Sequence, residues 1–174
     1  MDVVSETRWL TAEQQKTWRA LLLTMHLLSQ ELDRQAQRDA GMPHAYYQIL
    51  ATLSEQAGWN MRMSDLATVT DYSQSRLSHA VARLEDAGWV CRKQCSKDRR
   101  GTFAVLTDAG FAALNAAAPG YVRCVREMLF DQLTDEQVRQ LREICEAALR
   151  KLAAGRTCGA MTSEDSSRPT SNPA

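Results

Sequence analysis

Residues 63–106 read MSDLATVTDYSQSRLSHAVARLEDAGWVCRKQCSKDRRGTFAVL, and their punctuation decides the architecture. Ser64 has the chemistry to cap a short helix, Asp65 to about Thr70, because its hydroxyl accepts from a first-turn amide. Asp71-Tyr72-Ser73 reads as a tight turn. Ser73 then caps a second helix, Gln74 to Ala87, whose inner face is Leu77, Val81 and Leu84 at steps of four and three. Gly88 closes it, since glycine enters the left-handed conformation without steric cost. Two loosely alternating runs follow, Trp89–Ser96 and Thr102–Leu106, on either side of a charged tip. Alternation predicts strands, and the short polar connection makes them a β-hairpin.

A short helix, a turn, an amphipathic helix and a charged hairpin, in that order, spell a winged helix-turn-helix. In that arrangement the second helix enters the major groove and offers its N-terminal residues to base edges. The polar positions there are Ser73, Gln74, Ser75, Arg76, Ser78, His79 and, one turn on, Arg83. Glutamine pairs with adenine and arginine with guanine, at about 1–3 kcal/mol of discrimination each. A solvated helix face is the plain alternative for this helix alone. The hairpin shifts the balance. It holds Arg92, Lys93, Lys97, Arg99 and Arg100 against Asp98 alone, in a chain with 21 basic and 21 acidic residues. Concentrated positive charge suits a phosphate backbone, and a wing tip suits the minor groove. Lys97, Asp98, Arg99 and Arg100 therefore join the candidate DNA contacts.

Outward from this centre the chain is helical. Trp18, Leu21, Leu22, Met25, Leu28 and Leu32 recur at steps of three and four within a helix expected from Trp9 to Gln37. Leu23 and Leu27 widen that stripe, which calls for neighbours on more than one side. Gly41 and Pro43 end it. A second helix runs from His44 to about Gln56 with Tyr47, Leu50, Ala51 and Leu53 inward, and Asn60–Met63 alternates as a short strand. After the hairpin, Thr107 caps a helix with inner stripe Phe111, Leu114, Ala118, Val122, Val125 and Leu129, which Pro119-Gly120 should kink or break. Thr134-Asp135-Glu136-Gln137 is a capping box, opening a last helix through Val138, Leu141, Cys145, Ala148 and Leu152. From Gly155 the chain turns to Gly, Ser, Thr, Pro and Asn without apolar periodicity, and a disordered tail is expected.

With 174 residues the chain is long enough to bury a core without disulfides or metal. Zero formal net charge excludes a wholly basic packaging protein but not local nucleic-acid binding. Eight glycines and four prolines are few, which favours helix over loop. No apolar run reaches the length of a membrane span, and the first residues do not read as a secretion leader, so a cytoplasmic protein is expected. Five cysteines, all from Cys91 onward, do not read as a disulfide framework. Three histidines without ligand spacing predict no metal site and no cofactor. A glycine-rich phosphate loop and a nucleophile elbow are both missing, so an enzyme is not expected.

Several segments together resemble the MarR (multiple antibiotic resistance regulator) family of bacterial transcription factors. They are Met63–Ala67, Ser73–Ser78, Leu84–Val90, and above all Asp98-Arg99-Arg100-Gly101 with Val105-Leu106-Thr107-Asp108-Ala109-Gly110. Where many members have a proline-containing turn, this chain has Ser96-Lys97. The resemblance spans about residues 10–152. It implies a mainly α fold with a small β-hairpin wing. The N- and C-terminal helices would form an all-helical dimerisation lobe. The expected division is a flexible N-terminus at 1–8, dimerisation helices at 9–40 and 107–154, the DNA-binding region at 41–106, and the tail at 155–174. The function implied is a homodimeric repressor on a pseudo-palindromic duplex, relieved by a small aromatic or anionic effector.

Members of the family hold such effectors between the two lobes. Candidates near that crevice are Trp18, Arg19, His26, His44 and Tyr47. Arg19 and His26 are seven apart and share a helix face, though a solvated or ion-paired surface arginine and a satisfied interface histidine are the plainer explanation. Two other readings stay open. One is a winged-helix interaction module that never touches DNA. The other is a thiol-based redox sensor, which is disfavoured because peroxide-sensing relatives carry the thiol near the N-terminal helices.

Overall fold

The computed structural model describes residues 7–94 and 101–161, so the expectations for Lys97, Asp98, Arg99 and Arg100 lie outside the described residues. The chain divides into two units at Met128/Leu129. In the first, α1 (Ala12–Ala40) opens on a capping box in which the Gln14 amide donates to the Thr11 hydroxyl and the Thr11 amide to the Gln14 side chain. It stops at Gly41, whose φ of 60° only glycine adopts freely. Then come α2 (His44–Ser54), a single 3-10 turn (Ala57–Trp59), β1 (Asn60–Arg62), α3 (Met63–Thr70), α4 (Gln74–Asp86), β2 (Val90–Gln94), β3 (Thr102–Leu106) and α5 (Asp108–Met128). The second unit holds a 3-10 turn (Phe130–Gln132) and α6 (Asp135–Met161), which starts on the expected Thr134/Gln137 box. No helix among the described residues is long and apolar enough to cross a membrane.

The sheet is antiparallel in the order β1-β3-β2, with Arg62 opposite Phe103 and Arg92 opposite Ala104. Its inner face, Val90, Ala104 and Leu106, closes over Ile49, Leu50 and Leu53 of α2, Leu66 of α3, and Leu77, Val81 and Leu84 of α4. These make one core, and most of its side chains are fully buried. The Thr107–Gly110 segment locks α5 to this core. The Thr107 hydroxyl donates to the Gly88 carbonyl at 2.7 Å and accepts from the Gly110 amide at 3.0 Å. A Cβ on Gly110 would sit 2.1 Å from the Trp89 carbonyl oxygen, so no side chain fits there.

Five expectations need correction. Ser64 does not cap α3. The helix starts two residues earlier than expected, at Met63, because Arg62 is still paired in β1 and the chain turns directly from strand to helix. Pro119 does not break α5. Gly120 follows it and lies against α1, where a Cβ would come within 2.3 Å of Asp39 Oδ2 and 2.6 Å of Gln35 Nε2. That close packing holds the helix through the lost amide bond. The buried stripe therefore runs Leu114, Ala117, Gly120 and Cys124, and Val122 is exposed. Helix α6 continues past Gly155 to Met161, since the residues there include no proline. Cys145 is exposed rather than inward.

Helix α1 differs along its length. Leu32, Gln35 and Ala36 are buried, while Trp18, Leu21, Leu22, Leu23, Met25 and Leu27 are between 45% and 59% exposed.

Candidate nucleic-acid interface

Helix α4 begins as the sequence requires. Asp71 takes the left-handed conformation (φ 57°) that ends α3, and the Ser73 hydroxyl accepts from the Arg76 amide at 3.2 Å. Leu77, Ala80, Val81 and Leu84 turn inward, which leaves Ser73, Gln74, Ser75, Arg76, Ser78, His79 and Arg83 exposed on the outer face. The polar edge and the apolar face are thus two sides of one periodicity.

Gln74 and Ser78 line an open cleft of about 560 Å³ shared with Arg62, Met63, Ser64, Arg92, Gly101 and Thr102. The recognition face of α4 and the root of the wing therefore meet across one concave surface. Arg62 is the member the sequence reading missed. Its guanidinium lies 5.1 Å from the centre of the Phe103 ring, a cation–π contact. No local pattern marks it. Its place is set by the pairing of β1 with β3, far along the chain.

Arg92 is turned toward the protein. Its Nη2 donates to the Ser78 carbonyl at 2.8 Å, its Nη1 is 3.0 Å from Glu85 Oε2, and its main-chain amide donates to Glu85 Oε1 at 2.8 Å. Arg76 is stacked 4.3 Å from the centre of the Tyr72 ring. Burial pushes the Tyr72 hydroxyl pKa up, and Arg76 opposes that.

The proposed effector residues separate into three groups. His26 and His44 line a cleft of about 700 Å³ between α1, α2 and the start of α4, together with Asp33, Gln48, Tyr72 and Arg76. His26 is hydrogen-bonded to Gln30 at 2.9 Å. Tyr47 opens onto a different hollow, shared with Tyr121, Thr52 and Thr70. Trp18 and Arg19 are exposed on α1 and line neither. His44 stacks on Tyr121, which stacks on Tyr47 at 4.3 Å between ring centres. Its Nδ1 is buried without a hydrogen-bond partner. Burial pulls its pKa below the ordinary 6.5, and the Asp33 carboxylate partly offsets that. Cys124 is no thiolate: burial, then Glu31 and Glu127, push its pKa up.

A profile of the MarR family matches residues 40–101, from the last residue of α1 to the residue before β3. Sco3205, a MarR family transcriptional regulator from Streptomyces coelicolor solved in complex with DNA, is 51% identical. The match covers 83% of this chain and 94% of that one, with a TM-score of 0.79. AbsC, a MarR family regulator from the same organism, is 42% identical over 87% of this chain and 99% of its own, with a TM-score of 0.77. The transcriptional repressor MprA of Escherichia coli strain K12 is 26% identical over 132 residues, 75% of this chain and 74% of that protein. On these likenesses, and on a winged helix-turn-helix with its capped polar helix and close-packed Gly110, the chain belongs to the MarR family.

Proposed function

We propose that the chain is a DNA-binding transcriptional regulator, a homodimer that represses from a pseudo-palindromic duplex and is relieved by a small anionic or aromatic effector. The observation that carries the DNA reading is the cleft in which Gln74 and Ser78 of α4 face Arg62 at the wing root. A helix N-terminus that reads bases stands there beside a cation that grips phosphate. The solved DNA complex of a regulator 51% identical supports the same reading. Two such helices, about 34 Å apart in a dimer, fit successive major grooves on one face of a duplex.

The dimer reading rests on exposed apolar surface. Trp18, Leu21, Leu22 and Met25 of α1, and Ile144, Leu149 and Leu152 of α6, are all exposed in the single chain. Exposed apolar residues grouped on each helix mark an interaction site there. The effector reading rests on the cleft holding His26, His44 and Arg76, a cation and two imidazoles beside Tyr72, suited to an aromatic carboxylate. Occupancy there shifts the population of dimers whose helices fit the grooves.

Selection of bound duplexes from a random pool tests the whole reading. A consensus with two related half-sites is the expected result, with affinity falling steeply as salt rises. Indifference to every duplex in dilute buffer overturns it. Gln74→Ala should then relax the consensus at one position of each half-site.

A further inference from the structure

Charge alone would assign Arg92 to the phosphate-binding cations of the wing, but its contacts turn it toward the protein. We propose that Arg92 is a positioning residue. With Glu85 it clamps the wing to the recognition helix, and so it sets how sharply the protein discriminates between DNA sequences. The inference rests on the DNA-binding reading above.

The geometry follows from two periodicities. Val90, Arg92 and Gln94 share one face of β2, and Val90 is buried in the core. Arg92 is the next residue on that face, reaching the surface where the core ends. On α4, Ser78 and Glu85 are seven residues apart, so they lie on one stripe about 10 Å apart along the axis. A helical carbonyl points toward the C-terminus and a helical side chain tilts toward the N-terminus. The Ser78 carbonyl and the Glu85 carboxylate therefore converge on the guanidinium between them, at 2.8 and 3.0 Å.

The third bond belongs to the sheet. β2 is an edge strand, and the Arg92 amide points away from β3. Glu85 Oε1 accepts from it at 2.8 Å. One carboxylate thus holds both the main chain and the side chain of Arg92. Only a planar fork serves both acceptors on α4 at once, which a lysine ammonium does not do.

A specific site is gripped by α4 and the wing together, so the angle between them decides whether both grips land in register. A loosened wing still finds phosphates. Loss of Arg92 therefore removes discrimination and leaves the number of ions released on binding unchanged, because Arg92 is already neutralised by Glu85.

Affinities of wild type, Arg92→Ala, Arg92→Lys and Glu85→Gln are compared on the selected duplex and on a random-sequence duplex, across several salt concentrations. Thermal unfolding checks that each variant is folded. All three should lower the ratio of specific to non-specific affinity by roughly tenfold, and the two Arg92 variants should leave the salt slope unchanged. Glu85→Gln is the sharpest case. It removes a negative charge beside DNA, so charge alone demands tighter binding, whereas the clamp demands weaker specific binding. Rescue by Arg92→Lys, with a salt slope reduced by about one ion in Arg92→Ala, would make Arg92 a phosphate contact and overturn the proposal. Hydrogen exchange of the free protein separates this failure from that of the DNA reading. Glu85→Ala should hasten exchange at the Arg92 amide, and unchanged exchange there refutes the clamp whether or not any duplex is bound.

Discussion

The segment from α2 to β3 and the first half of α1 are both rich in large apolar residues, yet they use them in opposite ways. Ile49, Leu50, Leu53, Leu66, Leu77, Val81 and Leu84 are fully buried by neighbours in the same chain. Trp18, Leu21, Leu22, Leu23, Met25 and Leu27 sit on a helix of equal regularity and remain about half exposed. Hydrophobicity and periodicity do not distinguish the two sets; available partners do. The winged segment is stabilised by its own core. The first half of α1 carries a surface that its own unit leaves uncovered, and the proposed dimer would bury it at about 25 cal/mol per Å² covered.

The most direct way to break this contrast is to shorten one leucine from each set. Leu66→Ala, in the fully packed core, should cost about 2–5 kcal/mol of stability. Leu22→Ala should leave the unfolding of dilute monomer nearly unchanged and instead weaken self-association. Chemical denaturation, together with sedimentation across a concentration series, reads both. Equal losses from the two variants, independent of concentration, would mean that α1 is packed within one chain and that the contrast is false.

A second probe sharpens the claim that the winged segment is closed tightly by its own packing. Gly110→Ala places a methyl group against the Trp89 carbonyl oxygen and the Leu106 side chain, and neither a backbone atom nor a buried core residue yields easily. The expected loss is about 1–3 kcal/mol, as for other overpacked sites. Gly88→Ala meets no neighbouring atom, and its cost comes only from a φ of 73°. A Gly110→Ala protein as stable as wild type would show that α5 does not need its close approach to the wing.

The third probe concerns the site. Arg62→Ala should weaken binding to selected and random duplexes alike and lower the salt slope by about one ion, as expected for one lost phosphate contact. Loss confined to the selected duplex would place Arg62 among the base-reading groups instead. The effect should be smaller than either stability change, since one contact among several is removed.

These contrasts also explain what the sequence did and did not disclose. Elements whose limits depend on local chemistry were legible: the Ser73 cap, the Thr107 and Thr134 caps, the glycine at the end of α1, and the inner face of α4. The polar face of α4 followed from the same periodicity. What stayed hidden depends on residues distant in the chain. Arg62 gains its place through Phe103 and Arg92 its role through Ser78 and Glu85, and neither partner is visible from spacing on one element. Ser64 looked like a cap because serine favours that position, but β1 pairing brings the helix start forward to Met63. Pro119 looked like a break because its cost is local, whereas the packing that offsets it, Gly120 against Gln35 and Asp39, is tertiary.

The smallest expected effect lies at the boundary between the two regions, where His44 opens α2 beside α1. Its ring is stacked on Tyr121, its Nδ1 lacks a partner, and its main-chain amide donates to Asp33 Oδ1 at 3.0 Å. Burial lowers its pKa below the ordinary 6.5, and the Asp33 carboxylate opposes this. The folded protein therefore favours the neutral ring, while the unfolded chain takes up a proton as pH falls through the ordinary value. Stability from this group is complete above pH 6.5 and is lost progressively below it, down to the depressed folded pKa. Ordinary carboxylates titrate near 4, so the range just below 6.5 belongs to histidine, and replacing His44 isolates its share. His44→Phe keeps an aromatic ring against Tyr121 and removes both the titration and the unpaired nitrogen. Its melting temperature should decline less between pH 6.5 and 5.5 than that of the wild type. A wild-type profile that is already flat over this interval would mean that protonated His44 is accommodated at the α1–α2 junction, and that this boundary is looser than the core it adjoins.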